Sequence, residues 1–150
     1  MKKVTVCKHP FIAWLLTRLR DENTKPKDFH QLVLEISRFL LYKACGGLRS
    51  HETKVKTPTG ETTIGHNPLH QILVVPVLRA GIGMGEAAME CIPGVQVCHL
   101  GLERNETTFK PRTYYQKRPK GNITNMRCLV ADPMLATGGS ACDALDRVKS

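Results

Sequence analysis

Residues 129–140 read LVADPMLATGGS, and the order of residue types in this stretch decides the fold. An apolar run ends at Asp132, small residues follow it, and a helical pattern then extends from about Gly139 to Lys149. A buried strand that leads through a tight loop into a helix is the repeating unit of open parallel sheets. The stretch therefore predicts an α/β fold with this loop at the carboxyl end of a strand.

The same loop has the composition of an anion site. The first N–H groups of a helix lack an intrahelical acceptor, and the helix dipole makes that end positive. Small residues at 136–140 let a phosphate approach the backbone, and the hydroxyls of Thr137 and Ser140 can also donate to it. Asp132 can accept hydrogen bonds from sugar hydroxyls or hold a metal ion beside them. We therefore predict a phosphorylated sugar as the ligand, and a plain turn capped by a hydroxyl is the alternative.

Two more apolar runs extend this pattern upstream. Residues 71–77 form a continuous β-branched run that is typical of a strand buried on both faces, and residues 95–102 form another. A glycine-rich loop and a short helix separate the two runs. In an open parallel sheet the loops 78–85, 103–106 and 132–140 should emerge at one edge, where such sheets bind ligands.

The N-terminal part is predicted to be helical and to carry a β-arm. A first helix begins at Pro10 and ends near Asp21, and a second, which Thr24 could cap, is stopped by Gly46. Residues 52–65 alternate around a Pro-Thr-Gly turn, which indicates a polar hairpin.

We expect one domain over residues 1–150. Its helical part covers about 1–50, and its sheet with the ligand site covers about 70–150. Only three parallel strands can be recognised, so we expect the sheet to be incomplete. Pro76 indicates that the first of these strands leaves the hydrogen-bonded ladder at its C-terminal end.

Composition narrows the class of protein. The 150 residues carry a formal net charge of +9 with a pI near 9.5, which favours anionic partners such as polyphosphates, nucleic acid or anionic membranes. No apolar run approaches the roughly 18 residues needed to cross a bilayer, and the basic N-terminus lacks the apolar core of a signal peptide. Six cysteines without C-x-x-C spacing favour free thiols, so we expect a cytoplasmic protein.

A Rossmann-type dinucleotide-binding protein is one alternative. Gly81, Gly83 and Gly85 follow a predicted strand, and Glu103 lies twenty residues beyond Gly83. Glu86, however, stands where that fingerprint has its third glycine or alanine. An acid at this position would oppose a pyrophosphate at the start of the helix.

A non-catalytic RNA- or nucleotide-binding protein is another alternative. Residues 104–127 are rich in lysine and arginine, and Tyr114 and Tyr115 between them could stack on bases. Steeply salt-dependent binding to RNA would favour this interpretation.

The motif at 132–140 resembles the signature of type I phosphoribosyltransferases, and of their uracil-specific branch in particular. Most type I enzymes have two adjacent acids at its start, whereas Ala131 stands in the first position here, a departure that also fits the uracil branch. Residues 75–81 are similar to the family's pyrophosphate-contacting loop, and residues 103–107 to the stretch that carries its second pyrophosphate arginine. The resemblance to the uracil phosphoribosyltransferase family extends over nearly the whole chain.

The resemblance implies a type I phosphoribosyltransferase-like fold and a step of pyrimidine salvage. In this step uracil and 5-phosphoribosyl 1-pyrophosphate (PRPP) give UMP and pyrophosphate, with Mg²⁺ on the leaving group. The catalytic residues it implies are Asp132 and Arg104, and the basic segment 108–120 becomes either an arm that closes over the substrate or a solvated hairpin. The residues it assigns to PRPP are Arg79, Ala80, Gly81, Arg104, Asp132, Pro133, Met134, Leu135, Ala136, Thr137, Gly138, Gly139 and Ser140.

The resemblance also implies a homodimer or higher homo-oligomer and GTP as an allosteric activator. We expect neither a membrane nor a nucleic acid as a partner. The segment with which the family reads uracil, a Gly-Asp-Ala stretch, has no equivalent in this sequence. We therefore expect a fragment, a truncated gene product or a divergent member that keeps part of the phosphate site and forms little or no UMP by itself.

Overall fold

The computed structural model describes residues 4–104, 111–117 and 123–149, so the predicted arm at 108–120 lies only partly within it. Its helices are α1 (Pro10–Leu19), α2 (Pro26–Cys45), α3 (Ile82–Cys91) and α4 (Gly139–Lys149). Its strands are β1 (Ser50–Lys56), β2 (Thr62–Pro68), β3 (Ile72–Leu78), β4 (Gln96–Val97), β5 (Leu100–Arg104), β6 (Pro111–Gln116) and β7 (Arg127–Ala131).

The two N-terminal helices begin and end close to the predicted residues. Pro10 is the first residue of α1, where its missing N–H costs no hydrogen bond, and Gly46 follows the end of α2. The prediction that Thr24 caps α2 is wrong. Its hydroxyl donates to the Arg18 carbonyl at 2.5 Å instead, and Lys25 precedes the helix without a side-chain cap.

The predicted polar arm is confirmed as a hairpin of β1 and β2. The two strands pair antiparallel from Ser50↔Pro68 to Lys56↔Thr62, and nearly all of their side chains are exposed. Gly60 in the turn has a φ of +89°, a left-handed conformation that favours glycine.

The main sheet has β3 at its centre. β7 pairs with one side of β3 in parallel, β4 and β5 pair with the other side in parallel, and β6 adds an antiparallel strand beyond β5. The predicted open parallel sheet is thus confirmed, and the loops after β3 and β7 emerge at the same edge as the end of β5. In the described part of the chain no strand pairs with the outer side of β7, in agreement with the expected incomplete sheet.

Pro76 lies inside β3, and the prediction that the strand leaves the ladder there is wrong. The strand continues to Leu78, and Pro76 pairs in register with Ala131. On the opposite side, β4 ends at Val97 and β5 begins only at Leu100. Pro76, which has no N–H to donate, therefore lies beside the gap between β4 and β5. The second predicted strand, 95–102, is in fact these two short strands.

The sheet has a core on each face. Val74 packs with α2 and α3, whereas the alternate residues Leu73 and Val75 pack with Ala144 of α4. All four side chains are at most 1% exposed. Burying one apolar side chain of the size of valine or leucine contributes about 1.5–3 kcal/mol. This double burial explains the continuous apolar run from which the strand was predicted.

No helix among the described residues is long and apolar enough to cross a membrane. All six cysteines lie among the described residues and none of them forms a disulfide; Cys91 and Cys142 are exposed and Cys98 is buried. Burial raises the pKa of the Cys45 and Cys128 thiols above its ordinary value. Near neutral pH these two thiols are therefore less often in the nucleophilic thiolate form than a cysteine with the ordinary pKa.

Candidate functional site

The loop between β7 and α4 has the backbone geometry of an open helix start. Asp132 Oδ1 accepts a hydrogen bond from the Met134 N–H at 3.0 Å, so the carboxylate organises the beginning of the loop. Gly138 has a φ of +81°, and its carbonyl accepts the Cys142 N–H at 2.9 Å, which opens the α4 ladder. The N–H groups of the first helical residues are thereby left for an acceptor outside the helix.

This loop is also accessible from solvent. Residues 133–137, 139 and 140 are exposed. A Cβ added to Gly139 would meet nothing closer than Thr137 Oγ1, at 3.8 Å. A phosphate can therefore reach the backbone of 136–140, which is the condition that the predicted anion site required.

The loop after β3 is packed far more tightly. Arg79 and Ala80 are exposed, whereas Gly81 is buried and its N–H donates to the Val77 carbonyl at 2.7 Å. A Cβ on Gly81 would lie 2.6 Å from the Ala131 carbonyl oxygen and 2.7 Å from the Val77 backbone nitrogen and oxygen. Only glycine allows this approach, and the Ala131 carbonyl directly precedes the acidic loop. The two predicted loops are thus in backbone contact.

A cavity of about 730 Å³ lies between the loop after β3 and the strands β5 and β6. Its lining combines an arginine, a glutamate, a tyrosine and aliphatic residues. The carboxylate of Glu103 also lies 3.9 Å from the Arg112 guanidinium, an exposed and therefore weak ion pair. The lining residues are Leu78, Arg79, Ala80, Leu102, Glu103 and Tyr114.

Arg104, the second predicted pyrophosphate arginine, is the last residue of β5. β5 lies directly beside β3, with Leu78 opposite Gly101, and the Leu78–Arg79 peptide bond is cis. The backbone of Arg104 therefore stands at the same sheet edge as the Arg79 loop. The side chain of Arg104 and the predicted loop residues after it lie outside the described residues.

Asp132 and Arg79 belong to touching loops, but the two residues line different cavities. Asp132 and Leu135 contribute to a mostly apolar cavity of about 480 Å³ between β7, α2 and α4. Arg79 contributes to the cavity beside β5. The contact of Gly81 with the Ala131 carbonyl is the link between them.

Side-chain contacts attach α3, the helix that follows the Arg79 loop, to α2. His30 Nε2 lies 3.0 Å from Glu86 Oε2. Arg38 donates to Glu90 at 2.5 Å and to Glu35 at 2.6 Å, and these hydrogen bonds raise the pKa of its guanidinium above the ordinary value. The charged residues of α3 therefore serve its attachment to α2.

The glycines of the Rossmann-like pattern also serve packing. A Cβ on Gly83 would lie 3.2 Å from Val33 Cγ1, and one on Gly85 would lie 3.0 Å from Pro76 Cγ. Glu86, at the third fingerprint position, faces α2. These positions let α3 lie close to α2 and β3, and none of them is left open for a dinucleotide.

The family comparison decides the identity. A family model described as uracil phosphoribosyltransferase matches residues 6–150. The chain belongs to the uracil phosphoribosyltransferase family. Relatives with that name from Clostridium kluyveri and Roseiflexus castenholzii are 42% and 45% identical to it over 149 residues. These alignments cover 99% of this chain and 71% of either relative.

The fold of the chain is also similar to that of a solved structure. The AQ2163 protein from Aquifex aeolicus superposes with a TM-score of 0.86 at 30% identity, over 96% of this chain and 68% of that one. The resemblance stated from the sequence is confirmed, and the Rossmann interpretation is wrong. The RNA-binding alternative gains no support from these matches.

Proposed function

We propose that the site at the ends of β3, β5 and β7 binds PRPP and serves the reaction of the family. In this reaction uracil and PRPP give UMP and pyrophosphate. The observation that carries the proposal is the backbone contact between Gly81 and Ala131, which joins the Arg79 loop to the Asp132 loop. Two anion-binding elements that touch at one sheet edge suit a ligand with phosphate groups at both ends of a ribose.

The residues at 136–140 take the 5′-phosphate in this proposal, with Asp132, Pro133, Met134 and Leu135 leading into them. The exposed loop, the positive φ of Gly138 and the helix start at Gly139 support this role. The helix dipole and the N–H groups of the first turn both favour a dianion there.

Arg79 and Arg104 take the pyrophosphate, together with the backbone of Ala80 and Gly81. A planar guanidinium is matched to bidentate phosphate binding. Arg79 is exposed two residues before the tightly packed Gly81, and this supports the assignment, because a fixed backbone holds the arginine in place before the ligand arrives.

Mg²⁺ is proposed to arrive with the substrate. Among the described residues no three histidine, cysteine, aspartate or glutamate side chains converge on one point. Mg²⁺ sites of phosphate-transferring enzymes commonly use one or two carboxylates plus substrate phosphates, and Asp132 fits that donor set. When bound, the ion would neutralise charge on the departing pyrophosphate.

The chemistry requires little covalent work from the protein. The bond between the sugar C1 and the pyrophosphate oxygen breaks, the pyrophosphate keeps the electron pair, and uracil N1 bonds to C1 with loss of its proton. Positive charge develops at the sugar carbon, and Asp132 is proposed to face it or the ribose hydroxyls. The arginines and the helix N–H groups are already in position before the reaction, so they stabilise the pyrophosphate and the 5′-phosphate without having to move.

Calorimetry of the 150-residue chain with PRPP and Mg²⁺ tests the proposal. We expect saturable binding, which Asp132→Asn and Arg79→Ala each weaken by about tenfold or more, since each removes a charge-assisted contact. Binding that neither variant changes, or no binding by the wild type, would contradict it. A UMP assay of the same sample tests the separate expectation of little activity by the chain alone.

A homodimer or higher homo-oligomer and activation by GTP are further proposals that rest on the family resemblance. Sedimentation equilibrium tests the first, and a titration of PRPP binding with GTP tests the second. A monomer at all concentrations, or PRPP affinity unaffected by GTP, would count against the respective proposal.

A further inference from the structure

The cavity beside Arg79 is lined by Tyr114, a residue of the segment 108–120 that was not among the residues assigned to PRPP. Tyr114 reaches this position through an irregularity in β6. Leu102 pairs with Thr113 and Gly101 pairs with Tyr115, so Tyr114 is one extra residue without a partner on β5. Such β-bulges redirect a side chain and occur often beside active sites.

Gly101 of β5 makes room for the redirected ring. A Cβ at this position would lie 2.7 Å from both Cε2 and Cζ of Tyr114, and 2.9 Å from Tyr115 Cβ. Real Cβ atoms do not approach ring atoms this closely, so any larger residue would displace Tyr114. The bulge at Tyr114 and the absence of a side chain at Gly101 therefore together determine the orientation of the Tyr114 ring.

The charges around the cavity explain why a neutral donor matters there. Of its six lining residues Arg79 carries the positive charge, and the carboxylate of Glu103 opposes it. A phosphate oxygen in this cavity gains from an uncharged O–H donor, since a phenol adds a hydrogen bond without a charge to desolvate.

We infer that Tyr114 is a further substrate-contacting residue, whose hydroxyl donates a hydrogen bond to the pyrophosphate group that Arg79 binds, and that Gly101 is its positioning residue. The inference rests on the proposed function, because it takes the cavity beside Arg79 as the pyrophosphate end of the site. It predicts that Tyr114 contributes to pyrophosphate binding and not to binding of the 5′-phosphate.

Calorimetry with two part-ligands tests this division. Pyrophosphate with Mg²⁺ probes the Arg79 cavity, and ribose 5-phosphate probes the 136–140 loop. We expect Tyr114→Phe to weaken pyrophosphate binding about tenfold, as loss of one hydrogen bond to a charged group does, and Tyr114→Ala to weaken it at least as much. Both variants should bind ribose 5-phosphate within about twofold of the wild type.

Tyr115→Ala is the matched control. Tyr115 is the next residue of β6, it is exposed to a similar extent (44% against 51% for Tyr114), and it does not line the cavity. We expect it to leave pyrophosphate binding unchanged. An equal loss in Tyr115→Ala, or full affinity in Tyr114→Phe, would overturn the inference.

Gly101→Ala completes a double-mutant cycle. If Gly101 acts through the ring, the variant Gly101→Ala/Tyr114→Ala should bind pyrophosphate no more weakly than Tyr114→Ala alone. Additive losses would refute the positioning role. Failure of the proposed function gives a different pattern, in which the wild type binds neither part-ligand or Arg79→Ala changes nothing, and that pattern overturns both proposals.

Discussion

The loops after β3 and β7 carry two ends of one proposed site, yet they are built in opposite ways. Gly81 is enclosed by the backbone of its own strand and of β7, whereas a Cβ on Gly139 would meet nothing nearer than 3.8 Å. Tertiary packing holds the first loop, and the local order of strand, turn and helix forms the second. A loop that must orient an arginine is made rigid, and a loop that must admit a phosphate leaves its backbone uncovered.

Gly81→Ala is expected to have the largest effect of the substitutions that test the difference between the two loops. The added Cβ would lie within 2.7 Å of the Ala131 carbonyl oxygen and the Val77 backbone, and backbone atoms cannot move aside as a side chain can. We expect the unfolding free energy to fall by about 3 kcal/mol, at the upper end of overpacking costs. Urea denaturation measures this loss, and calorimetry should show that PRPP binding weakens with it.

Gly139→Ala is the matched control for that experiment. It adds the same methyl group to the open loop, at a helical position where alanine is well tolerated. We expect an unfolding free energy within about 0.5 kcal/mol of the wild type. Similar losses in the two variants would mean that the two loops are not built differently.

Gly138→Ala should have an intermediate and local effect. The φ of +81° at this position disfavours any residue with a Cβ, at a cost of roughly 1–2 kcal/mol. We expect weaker binding of ribose 5-phosphate with little change in pyrophosphate binding, because the strain falls on the 136–140 loop. Gly138→Asn should be milder, since asparagine tolerates this conformation better. Unchanged affinity for ribose 5-phosphate in Gly138→Ala would show that the turn does not shape the phosphate site.

The smallest expected effect concerns pH and two half-buried thiols, Cys45 of α2 and Cys128 of β7. Burial raises the pKa of the Cys45 and Cys128 thiols above the ordinary value of 9.0, so the folded chain holds these protons more tightly than the unfolded chain. Their contribution to stability is complete below pH 9 and is lost as the pH rises through the folded-state pKa. Urea denaturation between pH 8 and about 10.5 should show a decline that is smaller in Cys45→Ala/Cys128→Ala. An identical decline in that variant would disprove the assignment.

Local patterns predicted several elements well, for a common physical reason. β3, α4 and the glycine after α2 lie where the sequence places them, because burial on both faces and helix ends leave a signal within a few neighbouring residues. The open backbone at 136–140 is likewise encoded by neighbouring residues. Its small residues, its positive φ at Gly138 and its helix start are all consecutive in the chain.

Predictions from the sequence were wrong or missing where contacts with residues outside the local stretch determine the structure. Thr24 could cap α2, but the Arg18 carbonyl lies within reach of its hydroxyl. Pro76 remains in the sheet because the neighbouring strand breaks beside it. Tyr114 reaches the Arg79 cavity only because the register between β5 and β6 shifts by one residue.

The sequence by itself determined the α/β class, the family and the composition of the phosphate loop, because these depend on residue types and spacings along a continuous stretch. Tertiary structure alone decided that Gly81 touches the Ala131 carbonyl, that Tyr114 shares a cavity with Arg79, and that the glycines of α3 serve packing. These facts depend on strand order and register, which arise from the packing of residues far apart in the chain.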